Sequence, residues 1–175
     1  MIPLVLTFVG DDRPGLVSAI SETIAAHGGT WLESRSARLA GKFAGVLRAD
    51  VPDANVRALE LDLRGLAHAG LHLSVHRGAP DEAAASARRI ALEIVGNERP
   101  GIVRDVTQTL SRLGVNIEAF DSGLESAPFT GAPMFRAHAR LSAPANVAPE
   151  DLRRALERLA GEIMVDLTVA EEDRR

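Results

Sequence analysis

Cysteine and tyrosine are missing from this 175-residue chain, and aromatic side chains make up only 3% of it. Without cysteine there is no disulfide, no thiolate metal site and no thiol nucleophile. So few rings leave no stacking platform for nucleic-acid bases and no aromatic cage for a cofactor. Basic excess is missing too. Twenty Lys and Arg stand against 24 Asp and Glu, a net charge of −4, which argues against direct nucleic-acid binding. No apolar run reaches the roughly 18 residues of a membrane span, and the N-terminus lacks the pattern of a secretory signal. The expectation is a cytoplasmic protein with no membrane partner. The patterns G-x-S-x-G, G-x-x-x-x-G-K-[ST] and H-E-x-x-H are absent as well. Nothing in the sequence calls for an enzyme, a cofactor or a metal.

What the chain does contain is a repeat. "VGDDRPGLVSAISETIAAHGG" (Val9–Gly29) returns as "VGNERPGIVRDVTQTLSRLGV" (Val95–Val115) at an offset of 86 residues without a gap. Each copy opens on a β-rich segment, with Ile2, Leu4, Leu6 and Phe8 on one face in the first. Pro14 and Pro100 then suit the first helical position. The helical stripes are Leu16, Val17, Ile20 and Ile24, and in the second copy Ile102, Val103, Val106, Leu110 and Leu113. "TWLESRSARLA" and "FAGVLRADV" read as strands joined by a turn at Gly41 and Lys42. A helix carrying Val56, Leu59, Leu63 and Leu66 follows, and "LHLSVHR" closes the unit. The second half gives strands over Val115–Leu124 and Pro133–Leu141, separated by "ESAPFTGAP". A helix over Pro149–Ala160 with Leu152, Leu156 and Leu159 and the strand "IMVDLTV" end it.

The fold class is therefore α+β: two tandem ferredoxin-like βαββαβ units, each a four-stranded antiparallel sheet with helices on one face. The expected division is residues 1–78, a small and Ala-rich linker at 79–87, and residues 88–175. The strands of the first sheet carry Val5, Val9, Val46 and either Trp31 or Leu32 on one side or the other, so some apolar surface is expected on the face away from the helices.

The repeated junction has chemistry of its own. Free N–H groups at a helix start attract a carboxylate, and Gly15 or Gly101 lets a ligand approach the backbone beside Leu16 or Ile102. Asp12 or Glu98 can hold an ammonium group, so a zwitterion finds both charges matched. If Gly101 has ordinary helical dihedrals, changing it to Val blocks the ligand and little else. His68, His72 and His76 do not make a metal site, because four strand residues span roughly 13 Å. "LRRALERL" (Leu152–Leu159) reads as the wet face of an amphipathic helix.

The pattern G-x-[DE]-R-P-G-[LI]-V between strand and helix, followed by G-V-N-I, resembles the ACT domain, in two tandem copies covering nearly the whole chain. Tandem units with no enzyme attached, and the second-copy segment "ESAPFTGAPMFR", are similar to the glycine cleavage system transcriptional repressor family. The resemblance implies a βαββαβ fold and binding of a small amino acid, glycine among the candidates. It places ligand contacts at Asp12 and Thr30 in the first copy, and at Glu98 and Asn116 in the second. The first copy departs from the pattern with Thr30 after a double glycine. The resemblance also implies a non-enzymatic transcriptional regulator of glycine metabolism, acting by contact with a protein partner such as a transcriptional activator, and a homo-oligomer is expected. A detached regulatory subunit of an amino-acid metabolic enzyme is the alternative, and a small catalytic protein on a ferredoxin-like scaffold a third class.

Overall fold

The computed structural model describes residues 1–78, 88–127, 131–163 and 165–171. The chain divides into two compact units, Met1–Pro80 and Asp81–Arg175. The linker expected at 79–87 lies outside the described residues, as do Pro128, Phe129, Thr130 and Met164. The first unit runs β1 (Ile2–Asp11), α1 (Leu16–Ala26), β2 (Thr30–Leu39), β3 (Lys42–Val51), α2 (Val56–Gly65) and β4 (Leu71–Arg77). The second runs β5 (Arg88–Asn97), α3 (Ile102–Arg112), β6 (Asn116–Ser126), β7 (Pro133–Ala143), α4 (Pro149–Ile163) and β8 (Val165–Glu171). Each unit is βαββαβ, and its four-stranded sheet is antiparallel throughout, in the order β2-β3-β1-β4 and β6-β7-β5-β8.

Strand alternation and helical stripes build the two cores. Leu4, Leu6 and Phe8 are buried on one face of β1 against Leu16, Ile20 and Ile24 of α1 and Leu59 and Leu63 of α2. Ile90, Leu92 and Ile94 of β5 do the same against Ile102, Val106, Leu110, Leu152 and Leu156. Burying each such side chain stabilises by about 1.5–3 kcal/mol. Gly10 and Gly96 end the buried face of β1 and β5. A Cβ there would stand 2.8 Å from the Gly70 carbonyl oxygen, or 2.9 Å from Cβ of Val165, so only glycine lets the outer strand approach. That is the reason for the "V-G" that opens each repeat.

Several expectations need correction. Val17 and Val103 are 46% and 41% exposed rather than core residues, because the helix starts later than Pro14 and Pro100 suggested and its buried stripe falls on the residues one place earlier. Leu66 leaves α2 for a 3-10 turn, Leu66–Ala69, but still packs on the core. A bulge between Trp31 and Glu33 settles which neighbour faces inward: Trp31 packs on the core and Leu32 stays 43% exposed. The second copy bulges at the matching place, between Ile117 and Ala119. Val9 and Val46, whose side the sequence leaves open, lie exposed on the opposite face.

The β2–β3 turn is shifted by one residue, to Ala40 and Gly41, with Lys42 already in β3. Both turn residues have positive φ, 49° and 78°, the handedness that matches the twist of a two-residue hairpin. Ala40 is the one non-glycine residue with positive φ among those described, a conformation that an L side chain with a Cβ adopts at a cost of about 1–2 kcal/mol. Ala40→Asn, which tolerates this region, is expected to stabilise the protein by about 1 kcal/mol, or roughly 4–8 °C in the melting of a unit this size. Urea and thermal unfolding measure it; an unchanged or lower stability contradicts the strain.

Candidate functional site

The two junctions share one backbone. Gly15 (φ 91°, ψ −3°) and Gly101 (φ 93°, ψ −2°) are both left-handed, and α1 and α3 start at the next residue. Pro14 and Pro100 therefore precede the helices instead of opening them. The Ala19 N–H donates to the Gly15 carbonyl and the Asp105 N–H to the Gly101 carbonyl, each at 2.9 Å. No side chain caps either helix. The first-turn N–H groups, from Leu16 in one copy and Ile102 in the other, have no carbonyl to bond within the helix. They concentrate partial positive charge at both helix starts.

The left-handed φ also removes the premise behind the Gly101 to Val change. A side chain there strains the backbone whatever binds. The glycines serve chain direction first: nothing lies within 4 Å of a Cβ on Gly15, whereas one on Gly101 would stand 3.1 Å from the Arg104 guanidinium.

Side chains separate the copies. Asp12 is held by Arg38, with Nε and Oδ2 2.6 Å apart, and its N–H donates to the Gly41 carbonyl at 2.9 Å. Glu98 is exposed and its carboxylate has no side-chain partner among the described residues. The arginine of R-P-G also diverges. Arg13 donates to the Ala69 carbonyl at 2.6 Å, while Arg99 donates to Asp105 at 2.7 Å. Asp105 sits in the first turn of α3, where the first copy has Ala19, so only Arg99 meets an acid there. Arg104 joins Asp105 at 2.9 Å. The hydrogen bond from Arg99, then that from Arg104, holds the Asp105 carboxyl below its ordinary value. Nε of Arg99 is buried without a partner.

Sequence reading missed Arg38, Arg104 and Asp105. The preference for an acid in the first turn of a helix was a usable signal for Asp105. Nothing marked Arg38, which reaches Asp12 only through the hairpin.

Thr30 and Asn116 do not join the residues expected beside them. Thr30 pairs with Asp50, which pairs with Pro3, whereas Asp11 pairs with Lys42 at the other end of the sheet. Pro3 and Asp11 are separated by roughly 27 Å of strand. In the second unit Asn116 aligns with Ser142 and Arg89, again at the far end from Asn97 and Glu98. The helix returns the chain to the starting end of the sheet before the next strand begins. Asp12, Gly15 and Leu16 thus cluster at one end of their unit, as do Glu98, Gly101 and Ile102 in theirs. Thr30 and Asn116 are exposed at the opposite ends. Asn116 borders an open hollow of about 380 Å³ shared with Thr107, Ser111 and Ile117.

His72 and His76 lie four residues apart on β4, and His68 in the preceding 3-10 turn. No group of three metal-binding side chains occurs among the described residues. No helix among them is long and apolar enough to cross a membrane.

Residues 3–76 match the family model of the ACT domain, and the second unit repeats that topology, so the chain carries two ACT-like units. Phosphoserine phosphatase SerB2 of Mycobacterium tuberculosis is 30% identical over 177 residues, covering 96% of this chain and 40% of the phosphatase. The chain thus spans well under half the length of this curated relative. The crystal structure of an unknown protein from Galdieria sulphuraria superposes with a TM-score of 0.87 at 27% identity, covering 98% of this chain and 99% of that one. A candidate glycine cleavage system transcriptional repressor superposes at 0.73 with 17% identity, covering 99% and 98%; that likeness is one of fold.

The Asp105 cluster makes a pH prediction. Because its folded pKa is lowered, its stabilising contribution is present above the ordinary carboxylate value of 3.8 and lost as pH falls through the folded value. Asp105→Asn is expected to melt below the wild type at neutral pH, with the gap closing as pH drops below about 3.8. A gap that is absent at neutral pH, or that widens in acid, contradicts the assignment.

Proposed function

We propose that the chain is an amino-acid-responsive regulator without catalytic activity of its own, working through contact with another protein. One observation carries the reading: an ACT domain whose repeated helix start is uncapped in both copies, with a carboxylate left unpaired beside it only in the second. In this reading the ligand carboxylate lies against the N–H groups at Gly101 and Ile102, and Glu98 faces the ammonium. Asp12, already paired with Arg38, makes the first copy the weaker binder. Thr30 and Asn116 take no part in that contact, since each is a sheet's length from its own helix start. The ligand acts by binding one arrangement of the protein better than another, which is the source of any coupling to the partner.

The likeness in fold to a candidate glycine cleavage system transcriptional repressor supports glycine metabolism as the target, and the partner in this reading is a transcriptional activator. The 30% identity to part of a phosphoserine phosphatase favours a second reading, a regulatory module serving an amino-acid metabolic enzyme. Co-purification separates them: a transcription factor supports the first and a metabolic enzyme the second.

A thermal-shift screen of the full chain against the twenty amino acids tests the ligand. One present at about 100 times its Kd adds roughly 2.7 kcal/mol of stability. Glu98→Gln is expected to weaken that ligand roughly ten- to a hundredfold, from the loss of a hydrogen bond between charged groups. Asp12→Asn should change it little. Full affinity in a folded Glu98→Gln protein overturns the site.

A further inference from the structure

Strand register lays out the side of the second sheet opposite its core in rows. One row runs Ala119, Arg140, Ala91 and Ala170 across β6, β7, β5 and β8; the next runs Asp121, His138, Glu93 and Thr168. Together they line an open hollow of about 440 Å³. Its floor is low because the first row holds three alanines. Glu93 is already engaged by Arg136, which also reaches Glu125 at 3.1 Å. Asp121 and Arg140, in contrast, have no ion-pair or side-chain hydrogen-bond partner among the described residues.

The first copy fills the matching row, and its own open hollow on this face, about 330 Å³, is displaced toward Val9 and His72. Matching registers put Val5, Glu33, Arg48 and His76 where the second copy has Ala91, Ala119, Arg140 and Ala170. There Glu33 lies 3.7 Å from Arg48, and larger side chains fill the floor. The position of Asp121 is taken by Arg35, and that of His138 by Val46. The second copy has therefore emptied the floor, released its arginine and placed an acid diagonally across from it.

We infer that this hollow is a binding site for the zwitterionic backbone of a free α-amino acid, separate from the helix start. The Arg140 guanidinium takes the carboxylate as a two-pronged hydrogen-bond donor. Asp121 takes the ammonium. Diagonal neighbours on a sheet face are about 7–8 Å apart, which leaves room for a small molecule carrying both charges close together. His138 stands between the two as a further hydrogen-bonding group, and the alanines leave the ligand side chain open to solvent. The site does not depend on Glu98 or Gly101.

Calorimetric titration of the full chain tests this, using each of the twenty amino acids and, for any that binds, its N-acetyl and amide derivatives. Arg140→Gln and Asp121→Asn are each expected to weaken one binding event about tenfold or more. The pair Ala91→Val with Ala119→Glu, which installs the first copy's side chains, should do the same with the melting temperature preserved. Both blocked derivatives should bind at least about tenfold more weakly than the parent. Glu98→Gln should leave this event intact. Unchanged binding in all these surface variants overturns the inference, as does an N-acetyl derivative that binds as well as its parent. Affinity lost in Glu98→Gln and kept in the surface variants overturns this site and upholds the helix-start reading. No binding by any amino acid overturns both.

Discussion

A left-handed glycine between the first strand and the first helix of each unit is the constraint on which the rest hangs. At Gly15 and Gly101 the backbone sits at φ 91° and 93°, a region that side chains with a Cβ enter at a cost of about 1–2 kcal/mol. That single turn of the chain aims the helix back across the sheet. It sets Leu16, Ile20 and Ile24, or Ile102, Val106 and Leu110, onto the apolar face. It also begins the helix without a capping side chain, so its first N–H groups have no partner within the helix. Packing and chemistry thus come from one dihedral angle. The arginine and proline of R-P-G are subordinate to it, and the two arginines find different partners in the two copies.

On this common backbone the copies have taken different chemistry at little cost to the fold. Of the pairs that distinguish them, Arg38 on Asp12 lies toward the surface, where an ion pair is worth about 0–1 kcal/mol, whereas Arg99 on Asp105 is half-buried. Arg38 on Asp12 therefore matters less for stability than for occupation, since it takes the carboxylate that a ligand ammonium would use. The second copy leaves Glu98 open, gives Arg99 an acid of its own in Asp105, and clears the outer sheet face down to alanine. The first and third of these changes leave Glu98, Asp121 and Arg140 without an ion-pair partner among the described residues. The cores carry the stability, and no polar or charged residue is buried in either among the described residues.

Much of this was legible in the residues. Alternation of Leu4, Leu6 and Phe8 with polar or exposed neighbours marked β1 and its buried face, and the 86-residue repeat announced the second unit. What failed, failed where the backbone leaves its usual region or where contacts join distant segments. Pro14 reads as a helix start by propensity, but the left-handed Gly15 delays the helix, and with that delay Val17 and Val103 turn outward. The hairpin turn moved to Ala40 because a twist-matched turn needs two positive φ angles, and alanine gives no sign of accepting one. Thr30 and Asn116 were grouped with the helix starts by family pattern. The strand, helix, strand order already implied that they begin at the opposite end of the sheet. The partnership of Arg38 with Asp12 depends on hairpin length and has no local signature.

The central claim is that ligand recognition belongs to the second copy. Backbone amide NMR of the full chain, titrated with each of the twenty amino acids, tests it most directly. Shifts are expected first in the second unit, at Ile102 and its neighbours or around Ala91, Asp121 and Arg140, while the amides of Leu16, Val17 and Ser18 move only at higher ligand concentration or not at all. Equal shifts at both helix starts, or shifts confined to the first unit, would contradict it.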